Sequence, residues 1–112
     1  MLRPLLQTAE TERLAVLHLD GQGGLIGVDC HDGASTEVML PVREIIAQAL
    51  RRDARAMVLA HNHPSGRLEP SAGDIEAIGR LATVCAAIGI DIADHLIFAG
   101  GECVSLRALG LI

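Results

Sequence analysis

The sequence predicts an α/β domain built on a mixed sheet, and three observations carry that expectation. Short aliphatic runs of strand length recur along its 112 residues. Two longer segments repeat their apolar residues at helical spacing, and glycine clusters punctuate the boundaries. Strands interleaved with helices in this way bury one helix stripe against one sheet face. The length suits one domain, residues 1–112, with one core.

Leu14 to Asp20 is short and mostly aliphatic, Gly21-Gln22-Gly23-Gly24 ends it, and Leu25 to Cys30 resumes the apolar pattern. Together they predict a hairpin. The glycines are not a phosphate loop, because no Gly-Lys-Ser/Thr and no helix pattern follow them. Glu37 to Leu40 reads as a weaker third strand. Pro41 is expected at the first helical position of a helix whose Val42, Ile45, Ile46, Ala49 and Leu50 form one apolar stripe. Arg51, Arg52 and Arg55 then lie where cations offset a helix dipole. Ala56 to Ala60 is apolar throughout and too short for a helix, so it is expected as a buried central strand leading directly into His61. A second helix is expected over Ala72 to Ala87, with Ile75, Ile78, Leu81, Ala82, Cys85 and Ile88 inward and Gly89 as its stop. Ile90 to Ala99 and Cys103 to Leu106 complete the strands around a Gly100-Gly101 turn.

Half the residues are apolar, yet there is one Phe and no Tyr or Trp. The core must be aliphatic, and no aromatic platform for stacking bases is present. A formal charge of −5 argues against a nucleic-acid surface. Cys30, Cys85 and Cys103 are odd in number and widely spaced, which fits reduced thiols and a cytoplasmic setting better than a disulfide scaffold. Neither a signal-peptide pattern nor an apolar stretch of membrane-spanning length is seen.

The chemistry concentrates in fourteen positions. His61 and His63 are followed, after seven residues, by Ser71 and Asp74. Side chains two apart on an extended segment leave the same face, so both imidazoles can converge on one ion. Asp74 is placed to approach from the first turn of the second helix. Two histidines and a carboxylate leave open the coordination position that catalytic zinc needs. Ser71 is in its own right a natural N-cap, and Ser-x-x-acid resembles a capping box. Hydrolysis also needs a proton acceptor. Glu10, Glu12, Glu37, Glu44 and Glu69 are candidates, with Glu12 ahead because it directly precedes the first strand.

These residues resemble a known family. Glu12, His61-Asn62-His63-Pro64-Ser65-Gly66 and Pro70-Ser71 with Asp74 look like the JAMM signature of JAB/MPN-domain metalloproteins. Glu12 to Asp20, Pro41 with Arg43-Glu44, and Asp94-His95-Leu96-Ile97 narrow the likeness to the RadC branch. The resemblance implies a three-layer, cytidine-deaminase-like α/β/α sandwich holding zinc on His61, His63 and Asp74, with water as fourth ligand. It also implies Glu12 as general acid/base and Ser71 as oxyanion donor. Members with demonstrated chemistry cleave amide or isopeptide bonds, so a peptide or protein substrate is expected. The RadC pattern usually has a helical N-terminal region of helix-hairpin-helix type, which this chain is expected to lack, and with it any support for DNA contact through that region. Residues Cys30 to Leu40 match poorly. No long insertion of the kind that holds ubiquitin is present, which disfavours a ubiquitin-specific role.

Asp94-His95 is expected as a buried, hydrogen-bonded pair at a strand end, with a role behind a ligand or against substrate as the alternative. His18 and His31 are not expected to be ligands. The leading function is a zinc metallopeptidase or related amide hydrolase. Its rivals are a non-catalytic zinc-containing binding module and a DNA-repair accessory protein, the latter opposed by the net charge. The oligomeric state stays open, a homo-oligomer included.

Overall fold

A computed structural model of the chain describes residues 12–32, 40–63 and 66–112. Its strands are β1 (Arg13–Leu19), β2 (Leu25–Asp32), β3 (Ala56–Asn62), β4 (Asp91–Ala99) and β5 (Glu102–Ser105), and its helices are α1 (Val42–Arg51) and α2 (Ala72–Ala87). The strands form one sheet in the order β2-β1-β3-β4-β5. Only β3 and β4 run parallel, joined through α2; the remaining pairs are antiparallel, so the sheet is mixed as expected. The apolar run entering His61 is its central strand.

Register decides which residues the helices cover. Leu14, Val16 and His18 of β1 stand opposite His61, Leu59 and Met57 of β3 and share one face. Ile45 and Ala49 of α1, with Leu81 and Cys85 of α2, pack into one core with Leu14, Val16, Met57 and Leu59. Both helices therefore lie on the face that carries His61. Ala60, Leu96 and Phe98 form a smaller apolar cluster on the other face. Among the described residues no helix covers that face, so they show two of the three expected layers.

Several boundaries differ from expectation for local reasons. Pro41 is the N-cap of α1, not its first helical residue: its φ of −77° and ψ of 73° make an inverse γ-turn in which the Val42 N–H donates to the Leu40 carbonyl. The fixed φ of proline suits that turn as well as a helix start. Leu40 belongs to no strand, and the rest of the expected Glu37 to Leu40 strand lies outside the described residues. α2 occupies the expected span, but Ile75 and Ile88 at its ends stay exposed. It stops in a Schellman motif: Gly89 adopts φ +77°, its N–H donates to the Ala86 carbonyl, and the Ile90 N–H donates to that of Cys85.

Arg52 does more than offset a dipole. From the end of α1 its Nε and an Nη donate to the two carboxylate oxygens of Asp29 on β2, each at 3.0 Å. It reaches them by lying over Gly27, where an added Cβ would collide with its guanidinium. His18 is fully buried beside this pair, 2.9 Å from Asp29 but without hydrogen-bonding alignment.

Gly27→Ala is expected to destabilise the protein by less than the about 1–3 kcal/mol of an overpacked interior, because the guanidinium can swing aside and give up Asp29. The same change in an Arg52→Met background should cost less still, which a double-mutant melting cycle measures. Acid behaviour provides a second check. Burial holds His18 below its ordinary pKa, so the unfolded chain binds more protons as pH falls past about 6.5, and stability drops there. Asp29 is held low chiefly by its Arg52 hydrogen bonds, so its contribution is present above about pH 3.9 and lost as pH falls further. Melting at pH values stepped down from 7 should show a shallower loss near pH 6 in His18→Leu than in wild type.

Candidate metal centre

β3 ends at Asn62, but the extended conformation continues one residue because the His63 N–H donates to the Phe98 carbonyl of β4 at 2.8 Å. His61 and His63 therefore point to the same side, and their Nε2 atoms face each other at 2.8 Å. The carboxylate of Asp74 arrives from the first turn of α2, its Oδ2 at 3.3 Å from His63 Nε2 and 3.8 Å from His61 Nε2. Sequence-distant groups meet here because α2 packs over β3 and β4 through Ile78, Leu81 and Cys85.

Each imidazole has its second nitrogen occupied. His63 Nδ1 lies 2.7 Å from the Arg67 carbonyl, which can only accept, so Nδ1 carries the proton. His61 Nδ1 lies 2.6 Å from Nε2 of His95, whose ring meets it edge-on. Burial holds His61 down to about 3, so it is neutral near pH 7. His63 is raised, chiefly by its Asp74 contact. Burial works to raise Asp74, but the His63 contact and the Ser71 N–H outweigh it and keep the carboxyl ionised.

The capping reading of Ser71 holds: its hydroxyl oxygen accepts from the Asp74 N–H at 3.0 Å, while Asp74 Oδ2 accepts from the Ser71 N–H at 2.9 Å. That same Oδ2 faces the histidines, so the cap and the cluster share one oxygen. Glu12 is half-buried just ahead of β1, and its charge contributes to raising His63. Glu44 sits instead on α1, 3.6 Å from His31, and Glu69 lines an open groove of about 660 Å³ with Gly66, Arg67 and Leu68. Glu10 and Glu37, with Pro64 and Ser65, lie outside the described residues.

One feature escaped the sequence reading, and another was carried there only as the alternative. Asn62, between the histidines, is buried and its Oδ1 accepts from the Arg13 N–H, tying the chain next to Glu12 to the end of β3. The His95 ring, as distinct from its backbone N–H, does not pair with the Asp94 side chain. Asp94 accepts instead from Ser105 Oγ and from the His95 and Arg107 backbone N–H groups, while the His95 ring turns to His61.

The donor set fits a metal ion. Atoms held about 2.0–2.1 Å from a tetrahedral zinc lie about 3.3 Å from one another. The separations of 2.8, 3.3 and 3.8 Å bracket that spacing. Among the described residues, His61, His63 and Asp74 are the group of His, Cys, Asp and Glu side chains arranged to hold a metal ion.

Residues 1–111 match the family model described as a RadC-like JAB domain. The chain is 38% identical to the UPF0758 protein STH371 of Symbiobacterium thermophilum, over 99% of this chain and 48% of that protein. It is 41% identical to the UPF0758 protein alr2351 of Nostoc sp., over 88% of this chain and 41% of the relative. The UPF0758 protein tlr1707 of Thermosynechococcus vestitus is 40% identical, with 88% and 40% covered. The chain thus spans about half the length of these relatives or less. The chain belongs to the RadC-like JAB domain family.

Purified protein supplied with zinc should carry one ion per chain, and His63→Ala should lose most of it. Elemental analysis checks this, and stoichiometric metal in the variant would contradict the ligand set.

Proposed function

We propose that this member of the RadC-like JAB domain family is a zinc-dependent hydrolase of amide, peptide or isopeptide bonds. The observation that carries the reading is the convergence of two Nε2 atoms and one carboxylate oxygen on a common point, with both Nδ1 positions already engaged. Such a set leaves room for a further ligand, as hydrolytic sites require and structural zinc sites do not. Zinc held by His61, His63 and Asp74 supplies Lewis acidity, polarising a carbonyl and making water more acidic.

The chain supplies the remaining roles. Glu12 takes a proton from the attacking water and returns it to the leaving amine, and the hold of Asn62 on the Arg13 N–H keeps it near His63. The Ser71 hydroxyl uses a lone pair for the Asp74 N–H, which leaves its own O–H to donate to a developing oxyanion at the mouth of α2. The groove along Gly66 to Glu69 begins next to His63 and takes a segment of a peptide or protein substrate. A cytoplasmic setting suits the three cysteines, none of which forms a disulfide. No helix among the described residues is long and apolar enough to cross a membrane.

Glu12→Gln should keep zinc and fold while losing about 10²–10⁴-fold in turnover on a substrate found by peptide-library screening. Unchanged turnover would move the proton-transfer role to another acid, and a loaded wild type that cleaves nothing would favour a zinc-containing binding module. Ser71→Gly separates capping from catalysis, because glycine costs only a few tenths of a kcal/mol at an N-cap but removes the hydroxyl. The expected result is near-normal melting with turnover down about 10²–10³-fold. Full activity would leave Ser71 as a helix cap.

A further inference from the structure

β4 carries an irregularity that its pairing with β3 makes plain. Met57 stands opposite Ile92, but the next residue of β3, Val58, stands opposite Asp94, leaving Ala93 as an extra residue. Regular alternation from Ile92 would place Asp94 on the face of His61 and turn His95 to the opposite face. The bulge reverses this, bringing His95 onto the face of Leu59 and His61. The irregularity is braced from outside. The Arg107 guanidinium donates to the carbonyls of Ile92 and Ala93, and Asp94 accepts from Ser105 and from the Arg107 N–H.

What the bulge delivers is a fully buried imidazole whose Nε2 lies 2.6 Å from His61 Nδ1 and whose own Nδ1 has no partner. Burying an unpaired N–H costs about 1–3 kcal/mol, so an apolar side chain would serve packing better. The proton between the two rings has two arrangements. If His95 donates from Nε2, neutral His61 carries its proton on Nε2, aimed at His63, and no cation can sit there. If His95 accepts, the His61 proton is on Nδ1 and its Nε2 lone pair faces His63 and Asp74.

We propose that His95 is the positioning residue of the metal centre: carried onto the face of His61 by the β4 bulge, it accepts the His61 Nδ1 proton and so fixes His61 as an Nε2 ligand. The inference rests on the metal-centre reading above and adds a specific requirement to it. Removing a hydrogen-bond partner behind a ligand histidine typically costs about 10–100-fold in metal affinity.

The test compares wild type, His95→Leu and His95→Gln by chelator-competition titration with zinc. It is accompanied by melting of the metal-free proteins and nitrogen-15 NMR of the imidazoles in zinc-loaded wild type. His95→Leu should bind zinc about 10–100-fold more weakly while its metal-free melting point holds or rises, and His95→Gln, whose amide oxygen can accept, should recover part of the loss. The spectrum should place the His61 proton on Nδ1 and leave His95 Nε2 bare. Wild-type zinc affinity in His95→Leu, or a proton on His95 Nε2 in the loaded protein, overturns the inference while leaving the metal centre intact. A wild type that takes up no zinc overturns both. Should His95→Leu fail to fold, the wild-type spectrum decides alone.

Discussion

Two imidazole nitrogens facing each other at 2.8 Å inside a protein cannot both present lone pairs unless something positive lies between them. Everything around His61 and His63 accommodates that constraint. β3 is central, so His61 is held by neighbours on both sides; the Phe98 carbonyl keeps His63 extended; and α2 delivers the carboxylate of Asp74. A proton shared toward Asp74 or a divalent cation can satisfy the arrangement. The near-tetrahedral spacing of the three donor atoms favours the cation.

Economy marks the start of α2. A helix N-terminus needs acceptors for its free N–H groups, and Ser71 with Asp74 supplies them reciprocally. Because Asp74 Oδ2 is thereby held by the Ser71 N–H, the carboxylate that faces the histidines is ordered before any ligand arrives. Capping and ligation are two uses of one geometry here.

Much of this was legible in the sequence because it is local. His61 and His63 follow a continuous apolar strand, Ser71 and Asp74 sit at a helix start, and Gly89 ends that helix in the left-handed conformation expected of it. What stayed hidden depends on pairing between distant segments. The extra residue at Ala93 exists only in the register of β4 against β3, so strict alternation would turn His95 away from His61. The Arg52 clasp on Asp29 needs the hairpin and α1 docked together over Gly27, and from sequence Arg52 was only a cation at a helix end. Asn62 reads as a spacer between ligands until β1 is laid beside it.

The central claim is that His61 Nε2, His63 Nε2 and Asp74 Oδ2 together hold one divalent ion. Diffraction from crystals of zinc-supplied protein, recorded at the zinc absorption edge, tests it most directly. The account predicts a single strong anomalous peak within bonding distance of those three atoms. An absent peak, or one placed on other side chains while these nitrogens remain in mutual contact, would contradict it.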